Sequence, residues 1–329
     1  MARVDEFGLG KQSAWGTKQT TMTYWPPITS VEAEQQVETL EVEENTGVRH
    51  PAGINLGTQF FKLQIAGATR VASLPRLLSM WFGAPVTTTP HVTDAPTARK
   101  HTFGGVNAPD PHSLYVVRND PSPAIIDLFW DAVGDELSLG VEVDDYLMME
   151  GSVVAKELDD TQANPTSTLD ATERTIFDMC KAFITVDGGG EVEVPISGFS
   201  LKYGNTIDTE GKVLGSRKLF GPLKEGNTAA EVSFTVKDKA LFASIYRRGL
   251  LGNPAKNKIR LVGTGALIGT AIVKNEVEID VYHAEYLSAP ANVDSSSVLN
   301  EIEVTARVRY DATLSKFVEV AVTNLVASY

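Results

Sequence analysis

Apolar and polar residues alternate along much of the chain, at the two-residue period of half-buried β-strands. In residues 40–43 (Leu-Glu-Val-Glu), the two apolar side chains share one face and the two glutamates share the other. A turn signal, Asn-Thr-Gly, follows at 45–47, and a second alternating run covers 58–65. These runs predict a β-hairpin near the start of the chain.

The period then changes from two residues to that of an α-helix. Apolar residues at helical spacing cover 74–82, with Ser73 as a candidate N-cap and Gly83 as a candidate stop. Residues 84–112 are rich in Pro, Thr, Ala, Gly and His, and we expect a long loop there. Strand patterns return at 114–117, 124–130, 136–143 and 153–157.

The same order of elements is predicted again in the second half of the chain. Residues 182–186 and 191–203 form a hairpin pattern around a triple-glycine turn, and a short helix is predicted between Asp238 and Gly249. Further strand patterns cover 231–236, 259–262, 270–286, 301–310 and 317–322. A repeat of this length indicates two copies of one domain.

The fold class that follows is mainly β, with two tandem β-sandwich or barrel domains that each carry one short helix. The predicted divisions are an irregular arm (1–30), a first domain (31–160, including the loop 84–112), a polar linker (161–174) and a second domain (175–329). The arm carries three large aromatic residues: Trp15, Tyr24 and Trp25. They can pack on the core of their own chain or dock on a neighbouring subunit, and the sequence leaves both open.

Composition excludes several classes of protein. The 329 residues carry 29 Lys and Arg against 42 Asp and Glu, a net charge of −13, which argues against tight binding to nucleic acid. The mean hydropathy of −0.07 comes without a long apolar run, so we expect no insertion into a membrane. The single cysteine, Cys180, excludes an internal disulfide.

No arrangement of residues indicates catalysis, a metal or a cofactor. The histidines show no ligand spacing; they are His50, His91, His101, His112 and His283. The glycines of 263–269 precede a strand pattern rather than the helix that a dinucleotide site needs. We therefore expect a non-enzymatic protein. The informative feature is a set of glutamates that is spread over both halves of the chain. Glu41 and Glu43 share a face of the first hairpin, and Glu191 and Glu193 begin the matching strand of the second half.

Three segments resemble a known family. Residues 7–17 (Phe-Gly-Leu-Gly-Lys-Gln-Ser-Ala-Trp-Gly-Thr), 40–49 and 182–205 are similar to parts of the major tail tube proteins of phages with long, non-contractile tails. The resemblance implies domains that contribute hairpins to a shared β-barrel ring. It also implies rings that stack into a tube for double-stranded DNA, with three chains a ring for a duplicated domain and six for a single one.

The resemblance also implies partners and a location. The partners are further copies of the chain, a tape measure protein, and the terminator and tip proteins of the tail; assembly takes place in the host cytoplasm. In such a ring we expect the four glutamates named above (Glu41, Glu43, Glu191 and Glu193) to line the channel. We expect the aromatic residues Trp15, Tyr24 and Trp25 to contact a neighbouring subunit or ring.

Two other functions remain open at this point. One is a tube protein of a contractile tail or secretion apparatus, although most such subunits are shorter. The other is a β-sandwich module for surface adhesion or carbohydrate binding, which needs an exposed aromatic platform. Trp81 and Trp130 instead have the pattern of core positions. An enzyme is the least supported class.

Overall fold

The computed structural model describes nine segments: 6–41, 54–90, 96–104, 109–119, 123–186, 189–236, 257–268, 273–288 and 302–329. Residues 212, 215, 220, 222–225 and 227 inside the sixth segment are not described. The described elements of the first half are β1 (Glu6–Lys11), β2 (Ser30–Glu41), β3 (Ile54–Ala68), α1 (Leu74–Phe82), β4 (Val86–Thr88), β5 (Arg99–Gly104), β6 (His112–Arg118), β7 (Ile125–Glu142) and β8 (Met148–Asp159). Those of the second half are β9 (Cys180–Val186), β10 (Val192–Val194), β11 (Ile196–Gly204), β12 (Ala229–Val236), β13 (Asn257–Leu267), β14 (Lys274–Ser288), β15 (Ile302–Val308) and β16 (Val318–Asn324).

The described strands pair antiparallel and connect into one sheet. Eight of them follow one another in the order β14-β15-β12-β11-β7-β8-β3-β2, which we call the eight-strand run. The two halves of the chain meet in its middle, where β11 pairs with β7 from Gly198 opposite Glu142 to Gly204 opposite Glu136. The prediction of a mainly β fold is confirmed.

The eight-strand run consists of one four-strand order that occurs twice. In the first half the order across the sheet is β7-β8-β3-β2, and in the second half it is β14-β15-β12-β11. If the four strands of each half are numbered along the chain, both halves have the order 3-4-2-1 across the sheet. Helix α1 follows the second of these strands in the first half, and the predicted second helix follows the second strand, β12, in the second half. That second helix lies outside the described residues, as does the region around Asp238 and Gly249.

The remaining strands extend the sheet beside β7 and β14. β6 pairs with the first part of β7 and β1 pairs with β6, while β13, β9 and β10 continue from β14. β16 pairs with the first part of β14 and then with β5, which belongs to the first half. Strand pairing among the described residues therefore joins the two halves at two places, β11 on β7 and β16 on β5.

Helix α1 is buried along its whole length and ends at Gly83 as predicted. Its Trp81 is fully buried and donates a hydrogen bond from Nε1 to the carbonyl oxygen of Glu136 at 2.9 Å. The indole lies against two glycines: a Cβ atom on Gly134 or Gly151 would come within 2.4 or 2.3 Å of its ring atoms. Because glycine has no side chain, Gly134 on β7 and Gly151 on β8 leave the space that holds the indole and positions the helix on the sheet.

The prediction of an irregular arm over residues 1–30 is wrong for its first described part. Residues 6–11 form β1, which pairs with β6, and Phe7 and Leu9 are fully buried in the main core. The glycines that suggested a loop have a packing role instead. A Cβ on Gly8 would lie 2.8 Å from the ring of Trp25, so glycine allows the aromatic ring to cover the strand.

Two further strand predictions need correction. The segment 84–112 is not one loop, because β4 and β5 lie within it and pair with each other. The patterns at 124–130 and 136–143 belong to a single strand, β7, which is 18 residues long. Its two parts differ in register because Asp131 has a φ of 51° and the pairing with β8 shifts between Gly134 and Leu137. This irregularity interrupts the alternation of apolar and polar residues, so the sequence pattern indicates two strands although the strand is continuous.

The polar segment 161–174 has no regular strand or helix in the structure, in agreement with its composition. Single β-bridges connect it to the first half, from Leu169 to Trp25 and from Arg174 to Arg70. Its role as the boundary between two domains stays a prediction.

Burial of His112 predicts a loss of stability in acid. Burial is the main cause that lowers the pKa of this side chain to about 3, and its Nδ1 donates to the Asp110 carbonyl oxygen at 2.8 Å. The unfolded chain binds this proton near pH 6.5 but the folded chain does not. The stability contributed by the neutral ring is therefore complete above pH 6.5 and falls as the pH drops towards 3.

We expect the free energy of unfolding to fall by about 2 kcal/mol more between pH 7 and 5 in the wild type than in His112→Gln. Urea unfolding at both pH values measures this difference. Glutamine does not titrate, so the variant is less stable at pH 7 yet less sensitive to acid. Equal acid sensitivity of the two proteins would contradict the role assigned to His112.

Candidate functional site: the polar face of the eight-strand run

The two faces of the eight-strand run differ in chemistry because polar and apolar residues alternate along its strands. On β11, Leu201 and Tyr203 are buried in the main core, whereas Lys202 between them is exposed. On β12, Val232 and Phe234 are buried, and the residues between and beside them are Glu, Ser and Thr. We call the side opposite the core the polar face.

One line of residues crosses the polar face with charges of alternating sign. Strand register places the following residues directly opposite one another in turn: Glu150, Ser138, Lys202, Glu231, Arg307 and Glu285. Neighbouring members are about 5 Å apart across the sheet. Lys202 and Arg307 form no ion pair with a described residue, so their positive charges remain available on the face.

The next line along the strands is neutral and rich in hydroxyl groups. It contains Gly140 on β7, Ser200 on β11, Ser233 on β12 and Thr305 on β15, each opposite the next. On the other side of the charged line, a concave region of about 730 Å³ lies over the β7–β11 joint, lined by Glu136 and Gly204 together with most of the charged line. The middle of the face is therefore polar, open and free of large apolar side chains.

The polar face as a whole is acidic. Its described acidic side chains include Glu32, Glu34, Glu38, Glu136, Glu142, Glu150, Glu231, Glu285 and Glu303, and its basic ones include Lys62, Lys156, Lys202, Arg307 and Arg309. Acidic side chains therefore outnumber basic ones on this face. Such a surface repels phosphate groups at distances within the Debye length.

One end of the polar face is covered by the described residues of the segment 205–219 (all but 212 and 215), which we call the strap. Ile207 and Leu219 of the strap pack with Val133, Val154 and Phe60, apolar residues on the polar side of β7, β8 and β3. The strap is fixed further by Asn205, whose side chain donates to the carbonyl oxygens of Trp81 and Gly134. The strap thereby attaches the second half of the chain to the first through apolar packing and hydrogen bonds.

A sequence profile of the family described as "Phage tail tube protein" matches residues 6–249 of the 329. The chain belongs to the phage tail tube protein family. The match begins at β1 and covers the β11–β7 joint, so it includes both the N-terminal motif and the middle of the polar face. No curated protein matches the chain. Membership in this family makes the chain a structural component of a virion tail that self-assembles.

The four glutamates predicted to line the channel fall in different parts of this tail tube protein. Glu41 is the last residue of β2, at the edge of the eight-strand run, and its side chain is not described. Glu43 lies outside the described residues. Glu193, on the three-residue strand β10, lies 3.1 Å from Lys181. Glu191 just before it lies 2.5 Å from Arg260. Their place in a channel stays a prediction.

Arg260 on β13 connects Glu191 to a second ion pair, which is formed by Glu278 on β14 and Lys100 on β5. Its other terminal nitrogen lies 3.2 Å from Glu278, whose carboxylate also lies 2.6 Å from Nζ of Lys100. Burial raises the pKa of Glu278, but the hydrogen bonds and charges of Lys100 and Arg260 outweigh burial and lower it overall. Glu191 therefore takes part in a network of ion pairs with Arg260, Glu278 and Lys100.

The three aromatic residues of the N-terminal segment have different surroundings. Trp25 is buried and stacks on Tyr115 of its own chain. Tyr24 is half-buried and lies under the guanidinium of Arg76, 5.0 Å from ring centroid to Cζ. Trp15 is 41% exposed. For Trp25 the structure therefore supports packing within the chain, and the predicted contacts with a neighbour stay predictions for all three.

The motif at 7–17 contains a polar clamp that the sequence pattern did not reveal. The backbone N–H of Asp131 donates to Gln12 Oε1 at 2.9 Å, and one Asp131 carboxylate oxygen accepts from the backbone N–H of Gly16 at 2.8 Å. Both side chains are buried. A glutamine and a glycine in a strand-and-turn segment were the only signal, and their partner lies more than 100 residues away.

Among the described residues, no group of three or more His, Cys, Asp or Glu side chains could hold a metal ion. No helix in the described part of the chain is long and apolar enough to cross a membrane.

Proposed function

We propose that three copies of this chain close into a ring, and that stacked rings form the tube of a long, non-contractile phage tail. Double-stranded DNA passes through the tube without specific binding. The tube surrounds a tape measure protein, ends at terminator and tip proteins, and is assembled in the host cytoplasm. The observation that carries the ring is the repeated strand order, β14-β15-β12-β11 followed by β7-β8-β3-β2.

The repeated order supports a way to join copies. Inside the chain, the first strand of one unit, β11, pairs with β7 beyond the point where β6 ends. The equivalent joint between copies is β2 on β14. Among the described residues, β2 has one free edge of 12 residues, and 285–288 of β14 have no partner on the side of β13. Long free edges bind other strands, and closing the ring removes them.

Barrel geometry favours three copies over six. Eight strands make a barrel whose interior is filled by side chains, so one chain cannot surround DNA. Three copies give 24 strands and a barrel about 45 Å across at the backbone, which leaves room for a double helix. Six copies would double that diameter to about 90 Å.

Charge supports passage rather than capture of DNA. In this ring the polar face lines the channel and its net negative charge repels phosphates, while three copies at −13 each carry −39 in total. The neutral serine and threonine line offers hydrogen bonds but no fixed charge. DNA then moves within its own layer of counterions.

Electron microscopy of the purified chain in negative stain tests the proposal. We expect rings or tubes whose end-on views show threefold symmetry with a pseudo-sixfold outline, and a central channel. Sixfold rings with one unit per chain would contradict the duplicated arrangement. A chain that stays monomeric at concentrations where tail proteins assemble would contradict the tube function itself.

A further inference from the structure

Apolar side chains are exposed at both ends of the eight-strand run, beside charges of opposite sign. At one end the strap exposes its tip, where Leu214 is fully exposed and Val213 is 43% exposed. The tip belongs to a segment that is anchored on both sides, so it is held at that end of the sheet. An exposed leucine on an anchored loop is a feature of a contact site rather than of an unpacked terminus.

The anchors fix which end of the sheet the strap occupies. The backbone N–H of Gln59 donates to the carbonyl oxygen of Arg217 at 2.7 Å. The next residue, Lys218, forms an ion pair with Glu157 near the end of β8. The strap therefore lies where β8 ends and β3 begins.

An apolar groove lies at the opposite end of the run, beside the 143–147 turn that connects β7 to β8. The groove is lined by Val141, Val143, Phe177, Cys180, Ile196, Gly198 and Leu261 together with two polar neighbours, Glu142 and Ser197. Val143 is 47% exposed and Phe177 is 37% exposed. The groove thus presents apolar surface to solvent in the single chain.

The rim of the groove is acidic, whereas basic residues follow the tip. Asp144, Asp145 and Asp178 are exposed around the groove, and the guanidinium of Arg174 lies over the ring of Tyr146. On the strap, Arg217 is exposed and forms no side-chain contact with a described residue. The acidic residues of the strap, Asp208 and Glu210, precede the tip rather than follow it.

We propose that the strap tip of one copy packs against the exposed apolar side chains of the groove of a second copy displaced along the strand direction. Nine residues of β8 separate Glu157 from the start of that strand, about 30 Å at strand spacing, so a tip cannot reach the groove of its own chain. A contact between unlike surfaces of identical chains repeats without closing when the copies are related by translation. This inference rests on the proposed function, because it assigns the contact between successive rings.

The proposal separates ring stacking from ring closure. The tip and the groove lie at strand ends, which form the two rims of a barrel, whereas ring closure uses the strand edges β2 and β14. Leu214→Glu therefore leaves rings intact but prevents apolar contact between them. Because the contact recurs in every subunit of a ring, we expect the mean tube length to fall roughly tenfold or more.

The matched control is Leu314→Glu. Leu314 is 53% exposed in the 311–316 turn after β15, three strands from β7 in the sheet, and belongs neither to the apolar cluster under the strap nor to the groove lining. The same change of an exposed leucine to glutamate should leave tube length unchanged there. Tube lengths measured by electron microscopy, with ring content measured by sedimentation, compare the two variants of the full chain.

A charge exchange tests the pairing of the two surfaces directly. Arg217→Glu and Asp178→Lys should each shorten the tubes, because each opposes charges of the same sign across the contact. The double variant places a lysine opposite every glutamate and should restore the length. Full-length tubes from Leu214→Glu, or failure of the double variant to recover length, would overturn the inference while wild-type tubes uphold the proposed function. Wild-type protein that forms no rings or tubes would overturn both.

Discussion

Gly151→Ala should destabilise the subunit by about 3 kcal/mol, because the added methyl group has no space. Its Cβ would lie 2.3 Å from Cζ2 of Trp81, well inside the contact distance of two carbon atoms. The indole cannot move aside, since it is fully buried and its Nε1 is bonded to Glu136. Gly134→Ala on the neighbouring strand meets the same ring at 2.4 Å and should cost a similar amount. Urea unfolding of the purified variants measures the loss.

Gly204→Ala is the matched control for both substitutions. Gly204 also lies in a strand of the eight-strand run, but no atom comes within 4 Å of a Cβ placed there. Its free energy of unfolding should change by less than about 0.5 kcal/mol. If all three variants lost the same stability, the slot for Trp81 would not be the cause, and a general intolerance of strands to alanine would be.

The second large effect concerns DNA delivery. Replacing Glu136 and Glu150 by lysine changes the charge of the polar face by four units in each chain and removes its excess of negative charge. Both side chains are exposed, so the subunit should keep its stability within about 0.5 kcal/mol and tubes should still assemble. The channel would then attract phosphates, and we expect DNA delivery to fall roughly tenfold at low salt and to recover as salt rises.

Infectivity per virion, measured over a series of salt concentrations, tests this result. The double variant Glu191→Lys/Glu193→Lys carries the same change in charge on and beside β10 and serves as the comparison. If only that variant blocked delivery, those two glutamates would line the channel and the polar face would not. If neither variant changed delivery at low salt, the charge of the wall would not control passage.

The sequence alone predicts much of the local structure of this protein. The alternating runs predicted most strands of the eight-strand run, and the helical spacing predicted α1 with its end at Gly83. The repeated order of elements was also visible, and the structure has the same order twice in its sheet. These features are local, since side-chain direction repeats every two residues in a strand and every 3.6 in a helix.

The sequence also indicated the chemistry of the candidate site without its position. Alternation shows that Glu41 and Glu43 face away from apolar neighbours, but it applies equally to Glu191 and Glu193. Whether a polar strand face belongs to a channel wall depends on which strands are its neighbours. The charged line from Glu150 to Glu285 includes residues from six strands and exists only through their register.

Only the tertiary structure determined the pairings between distant segments. β1 became a strand because β6 offers it a partner, although Gly8 and Gly10 resemble a loop in sequence. Gly134 and Gly151 resemble weak points in their strands until Trp81 is seen to fill the space above them. Local periodicity specifies which face of an element is apolar, whereas its partner is chosen by packing over the whole chain. For that reason the strand pattern could be read from the residues, while the β11–β7 joint and the strap could not.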